Sequence, residues 1–299
     1  MKNQISRRQF LERSAVAAGA MLFTSGSYAA PPAAKRTAAD QVTLGNTGIK
    51  LSRLGFGTGS NSGHIQHDLG REEFNRLIRY AYDQGITYLD CAQAYATFEW
   101  IGGAIKGLPR EKLFIQSKIP GRPEKIMEAI DHHRQVFDTD YVDSLLIHCM
   151  TKDGWTDDYK RIMDAFDAAK EKKWIRAKGV SCHSLPALRL ATSSPWTEVH
   201  LVRVNPQGKH IDGMEQAWDK PGSNLEPVLA ELKTMRTKGR GVIGMKIIGN
   251  GDFKQPEDRE RSIRFAMSRP ELDAIVIGFK STNEIDEAVR RVNQALAEA

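Results

Sequence analysis

From Leu54 onward the chain alternates between apolar runs of five to seven residues and longer stretches whose apolar positions recur three and four apart. Runs of the first kind read as strands covered on both faces, as in a parallel sheet. The second spacing marks helices with one buried stripe. The strands predicted this way are Leu54–Thr58, Ile86–Cys91, Leu113–Lys118, Ser144–Cys149, Ala177–Cys182, His200–Asn205, Gly241–Ile247 and Ala274–Gly278. Between them, Phe74, Leu77, Ile78 and Tyr82 line one helix face, and Ile162, Phe166 and Ala169 another. Gly85, Gly107 and Gly239 stand where helices must stop before the next strand. Ahead of this series, Gln41–Leu44 and Ile49–Ser52 alternate around Gly45-Asn46-Thr47-Gly48, which predicts a hairpin.

Eight strand–helix repeats predict an α/β chain folded as a (β/α)8 TIM barrel, preceded by a β-hairpin. Residues 41–299 suit the roughly 250 residues such a barrel needs. The rival architecture is an open doubly wound sheet, suggested by Gly55-Phe56-Gly57-Thr58-Gly59-Ser60. A dinucleotide fingerprint needs glycine at the sixth position and a helix immediately after it. Here Ser60 holds that position, and Asn61, Ser62, Gly63 and His64 continue a loop.

The first residues follow other rules. Arg7-Arg8, then Phe10-Leu11, an apolar stretch from Ala15 to Phe23 and small residues around Tyr28 have the order of a twin-arginine signal peptide over residues 1–29. The apolar stretch is about half of what a spanning helix needs, so no stable membrane anchor is expected. Residues 30–40 read as a flexible linker, and 41–299 as the folded domain. These features predict a periplasmic or otherwise exported protein whose partner in transit is the twin-arginine export machinery, a route that carries folded cargo.

Charge and cysteines narrow the chemistry. The net charge is +6, and the signal segment supplies Lys2, Arg7, Arg8 and Arg13 against Glu12, a contribution of +3, so +3 remains. With no Lys/Arg-rich run, nucleic acid is not an expected partner. Cys91, Cys149 and Cys182 are far apart, odd in number and without a CxxC pair, so neither a disulfide framework nor a metal site is predicted.

In such barrels chemistry sits where strands end. Asp90 closes the second predicted strand, Tyr95 follows in the loop, Lys118 closes the third strand and His148 lies at the end of the fourth. A charge ending a buried strand costs several kcal/mol unless paired, and Asp90 and Lys118 lie on neighbouring strands at matching depth. A tyrosine beside that ammonium would have its pKa lowered from about 10, which suits a general acid or base. Singly, the four residues have ordinary explanations: a helix cap, a packing aromatic, a surface lysine and a core histidine. Together on three successive strand ends they form a candidate site.

The segments Asp90-Cys91-Ala92-Gln93-Ala94-Tyr95, Ile115-Gln116-Ser117-Lys118 and Leu146-Ile147-His148 resemble the catalytic motifs of the aldo-keto reductases in order and spacing. Leu54-Gly55-Phe56-Gly57-Thr58, Lys178-Gly179-Val180-Ser181, Gly244-Met245-Lys246 and Val276-Ile277-Gly278-Phe279-Lys280-Ser281 extend the likeness from the hairpin to the final helix. The resemblance implies hydride transfer between a nicotinamide cofactor and a carbonyl or alcohol substrate. Tyr95 would be the proton donor, Lys118 and Asp90 would tune it, and His148 would orient the substrate. The implied cofactor is NADP(H), with NAD(H) as the alternative, held by Gly57, Thr58, Ser181, Met245, Lys246, Gly278, Lys280 and Ser281. Cys182 and Leu201 depart from the family pattern and imply rearranged nicotinamide contacts. The final helix has Glu284, Asp286 and Glu287 but lacks the arginine that clasps a 2′-phosphate, so the choice between the two cofactors stays open. Ala96 follows Tyr95 where glycine is commoner.

Two other functions compete. One is a non-catalytic nucleotide-binding barrel or accessory subunit, which would have no use for a buried Asp–Lys pair beside a tyrosine. The other is a metal-dependent hydrolase using His148, Cys149, Cys182 and His183. Strand alternation opposes it, because it turns Cys149 toward the helices if His148 faces the barrel axis. The loops Cys149–Asp158 and Pro206–Asn224, with Trp155 and Trp218, are expected to shape the pocket for an apolar or sugar-like substrate.

Overall fold

The computed structural model describes residues 36–218 and 220–298. The predicted signal segment and most of the linker lie outside them. Eight parallel strands close a barrel: β3 (Leu54–Gly57), β4 (Tyr88–Asp90), β5 (Phe114–Ile119), β6 (Val142–Met150), β7 (Ile175–Cys182), β8 (Val199–Arg203), β11 (Gly241–Met245) and β12 (Ala274–Gly278). Closure comes from β12 pairing with β3, from Ile275 opposite Leu54 to Gly278 opposite Gly57. The hairpin is present as β1 (Gln41–Thr43) and β2 (Lys50–Ser52), with Val42 opposite Leu51. Gly85, Gly107 and Gly239 take φ of 83°, 82° and 68° just past three helices, the left-handed conformation that ends a helix without a Cβ clash.

Alternation along the strands builds two cores. Outward residues such as Phe56, Ile115, Leu145, Val202 and Ile277 pack under the helices. Inward residues Tyr88, Phe114, Leu146, Val199, Leu201 and Ile243 fill the barrel, joined by Leu44, Ile49 and Leu51 from the hairpin. The hairpin thus plugs the N-terminal end, and each of its three aliphatic side chains contributes roughly 1.5–3 kcal/mol on burial. The same inward rows turn polar toward the other end, with Asp90, Gln116, Lys118, Ser181 and Arg203 all buried.

Several expectations change. Residues 36–40 are docked rather than free: Arg36 donates to Leu296 O at 3.0 Å, and Ala38, 2% exposed, donates its N–H to Asn293 Oδ1 at 2.7 Å. Between β8 and the helix Glu226–Thr237, two short strands, β9 (Ile211–Asp212) and β10 (Pro221–Gly222), form a small sheet. They are too short to show periodicity in the sequence. Cys149 does not turn toward the helices, because β6 bulges between Ile147 and Met150 and Cys149 takes φ of 60°. The extra residue resets the alternation, and Cys149 Sγ comes to 3.5 Å from His183 Nε2. Trp155 is not a pocket residue. It is 1% exposed, packed edge-on to Trp196, with its indole N–H donating to Ala187 O at 3.2 Å.

Candidate active site

At the C-terminal end of the barrel, Lys118 Nζ donates to both oxygens of Asp90 at 2.8 Å and to Cys91 O at 2.7 Å. Lys118 is 1% exposed and Asp90 5%, so the charges are stable there only because each is paired and hydrogen-bonded. Gln116 completes the arrangement: its Nε2 donates to Asp90 Oδ1 at 2.8 Å and to Tyr88 Oη at 2.9 Å. Sequence reasoning passed over Gln116, although its place two residues before Lys118 puts it on the same inward face.

Tyr95 sits in the loop after β4. Its N–H donates to Ala92 O at 3.0 Å, and the next residue, Ala96, donates to Ser62 O at 3.0 Å, which ties this loop to the one following β3. The ring lies against Gly59, where a Cβ would stand 2.4 Å from Tyr95 Cζ and 2.6 Å from Oη. Glycine is therefore required there by close approach. Lys118 Nζ is 5.0 Å from the Tyr95 ring centroid, and the His148 ring stands edge-on at 5.7 Å. The four predicted residues come together.

Their proton affinities follow from burial. Burial drives Tyr95 up to about 12, with the Lys118 charge pulling it only partway back, so the lowered value expected from the sequence is overturned. Desolvation outweighs a cation whose charge is already compensated by Asp90. Burial pulls Lys118 down, but the Asp90 carboxylate more than offsets this and holds it above the ordinary lysine range. Burial, reinforced by Lys118 and Lys246, brings His148 down to about 3. At neutral pH the site therefore holds a protonated phenol, a neutral imidazole and a charged Asp–Lys pair.

A cavity of about 460 Å³ opens beside Tyr95 and Asp90. Of the residues expected to hold cofactor, Gly57, Met245, Lys246, Gly278 and Lys280 line it. Thr58, Ser181 and Ser281 instead support its walls. Thr58 Oγ1 donates to Asp90 O at 3.0 Å, Ser181 Oγ accepts from the Cys149 N–H at 3.0 Å, and Ser281 Oγ accepts from the Glu284 N–H at 3.3 Å. Cys182 faces outward into the helix-side core, and Leu201 fills the barrel interior. Sequence reasoning missed Ser60, Lys254, Arg259 and Arg291, which also line the cavity. Arg259 sits in the first turn of the helix Pro256–Met267 and Arg291 midway along the helix Thr282–Glu298, both outside any local motif.

These residues fit a nicotinamide dinucleotide. The cavity is of ligand size. Apolar Met245, Phe253 and Val276 offer contact for rings, and Lys254 and Lys280 offer charge for phosphates. A Cβ at Gly278 would stand 2.1 Å from Ser60 Oγ, so glycine keeps that wall open. Among the described residues no group of three or more His, Cys, Asp or Glu side chains could hold a metal ion, and no helix is long and apolar enough to cross a membrane.

The model of the Aldo/keto reductase family matches residues 53–299. The chain is 32% identical over 227 residues to a Glycine max protein named Probable aldo-keto reductase 1, covering 71% of this chain and 60% of that one. It is 30% identical over 152 residues to the NAD/NADP-dependent indole-3-acetaldehyde reductase of Schizosaccharomyces pombe, covering 45% and 51%. The chain thus spans little more than half the length of these relatives. In fold it resembles the holo form of an aldo-keto reductase from Bacillus halodurans, with a TM-score of 0.67, 18% identity and coverage of 87% and 95%. With the family match running from the first barrel strand to the end, the chain belongs to the aldo/keto reductase family.

Proposed function

We propose that this protein is an NAD(P)-dependent oxidoreductase that reduces a carbonyl, or forms one, with Tyr95 as the proton-transferring residue. The observation that carries the reading is the buried Lys118–Asp90 pair within 5.0 Å of the Tyr95 ring at the edge of the cavity. A bound nicotinamide would supply the hydride. The chain's own residues supply the rest. Tyr95, pushed up to about 12, holds its proton at neutral pH and can give it to a carbonyl oxygen that gains negative charge. The phenolate then left is stabilised by the Lys118 charge. That stabilisation combines the Lys118 charge with a side-chain hydrogen bond from Lys118, whose ammonium is itself held by Asp90 and Cys91 O. His148, neutral at working pH, offers the substrate oxygen a hydrogen bond.

Tyr95→Phe tests the reading, since it removes one hydroxyl and leaves the ring against Gly59. The expected result is a loss of kcat by about 10²–10⁴ with cofactor affinity and melting temperature unchanged. Full activity in that variant would refute the assignment. The alternative of a non-catalytic nucleotide-binding barrel or accessory subunit leaves the costly burial of Asp90 and Lys118 without a purpose. The chemistry also has to suit export, given the twin-arginine pattern of residues 1–29. In this reading the cofactor is bound before transport and stays with the protein.

A further inference from the structure

The Asp90–Lys118 pair has a third member. Gln116 stands opposite Asp90 in the β4–β5 register and, like Lys118 two residues on, points into the barrel. It is fully buried and is not among the residues that line the cavity. Both N–H groups of its amide are used, one on Tyr88 Oη at 2.9 Å and one on Asp90 Oδ1 at 2.8 Å. The reverse orientation would set the amide oxygen against a carboxylate. Tyr88 is itself wedged in place: a Cβ on Gly55 would stand 2.1 Å from Tyr88 Cδ1, and Phe114 packs edge-on at 5.1 Å. The amide is therefore held between a fixed phenol and the carboxylate, and it sets the way Asp90 turns. The barrel interior below is apolar, so an aliphatic side chain at position 116 would fill the space without burying a polar group. What the amide adds is a donor on Asp90 Oδ1, the oxygen that also takes a Lys118 N–H. A hydrogen bond to a carboxylate draws on its charge, and the ammonium beside it is then compensated less completely.

We propose that Gln116 is a positioning residue of the reaction: it orients the Asp90 carboxylate toward Lys118 and takes up part of its charge, which leaves more of the ammonium's charge for the phenolate that Tyr95 becomes. The inference rests on the role given to Tyr95 above. Lys118, Asp90, Cys149 and His148 face Tyr95, and of these it is Asp90 that Gln116 bonds. Without the amide, Asp90 turns its full charge on Lys118, and Tyr95 binds its proton more tightly.

Titration of Tyr95 in the full chain tests this without turnover. In protein grown with 3-fluorotyrosine, fluorine NMR follows each phenol through ionisation, and the Tyr95 signal is the one that Tyr95→Phe removes. The fluorine also makes the phenol more acidic, which brings its transition to lower pH. Gln116→Met and Gln116→Leu both remove the donor but pack differently. Each is expected to leave about three- to tenfold less Tyr95 phenolate at a given pH, whatever its melting temperature. A shift that tracks the melting temperature instead, or a Tyr95 transition unmoved in whichever variant folds, overturns the inference. In an Asp90→Asn background the amide has no carboxylate to act on, and Gln116→Met is expected to move Tyr95 no further. Equal movement in both backgrounds overturns the proposed route through Asp90. Neither nucleotide nor carbonyl enters the titration, so the two readings fail separately: an unmoved titration ends this inference alone, whereas full turnover by Tyr95→Phe ends the role of Tyr95 and this inference with it.

Discussion

At the scale of single residues, the site works by the balance between burial and charge. Lys118 favours the Tyr95 phenolate, yet Asp90 compensates the ammonium and desolvation wins, so the phenol is held near 12. The sign fixes a pH dependence. Carbonyl reduction needs the protonated phenol and should run at a rate independent of pH from about 6 to 10, as far as Tyr95 controls it, then fall as pH approaches 12. Alcohol oxidation needs the phenolate and should rise about tenfold per pH unit over the same range. Initial rates in both directions across that range are the measurement, and a reduction limb falling below pH 8 would contradict the value given to Tyr95. The four polar residues were readable in the sequence because each ends, or directly follows, an apolar run. The direction of the Tyr95 shift was not readable. It depends on how fully the loop and Gly59 enclose the ring, which only the assembled barrel determines.

At the scale of elements, regular segments declared themselves and irregular ones did not. Eight strands and the hairpin follow from apolar periodicity, with ends that coincide or differ by one or two residues. The bulge at Cys149 does not, since one inserted residue leaves the apolar pattern of Leu145, Leu146 and Ile147 untouched while reversing what comes after. The tie between β8 and β9 was equally hidden. Arg203 Nε donates to Asp212 Oδ1 at 2.7 Å and its Nη2 to His183 O at 2.6 Å, with Arg203 2% and Asp212 1% exposed. A nine-residue separation gives no sign of such a pair in sequence. Arg203→Met should cost about 3–5 kcal/mol, because it leaves the Asp212 carboxylate buried without its partner. Chemical denaturation measures this. The double variant with Asp212→Leu is expected to recover most of the loss, and no loss in the single variant would show the pair to be dispensable.

For the whole molecule, the described residues and the N-terminal segment call for different experiments. The N-terminal arginines are read from sequence alone, and cell fractionation is their test: Arg7→Lys with Arg8→Lys is expected to leave the protein in the cytoplasm, folded and able to bind nucleotide. Unchanged export of that variant would remove the twin-arginine proposal without touching the barrel. The folded part begins by Arg36, whose contacts with the final helix bring the start and end of the described chain together.

The hairpin beneath the barrel sets one further condition. Among the described residues, Leu44, Ile49 and Leu51 stopper the lower end of the barrel, opposite the Asp90–Lys118 pair. In the proposed reading, nucleotide and substrate enter at the opposite end, where the cavity lies beside Tyr95 and Asp90 and the loops that follow the strands frame it. Ligand exchange is therefore a matter of traffic at that rim, and substitutions in the rim loops can alter turnover without altering any residue that takes part in the chemistry.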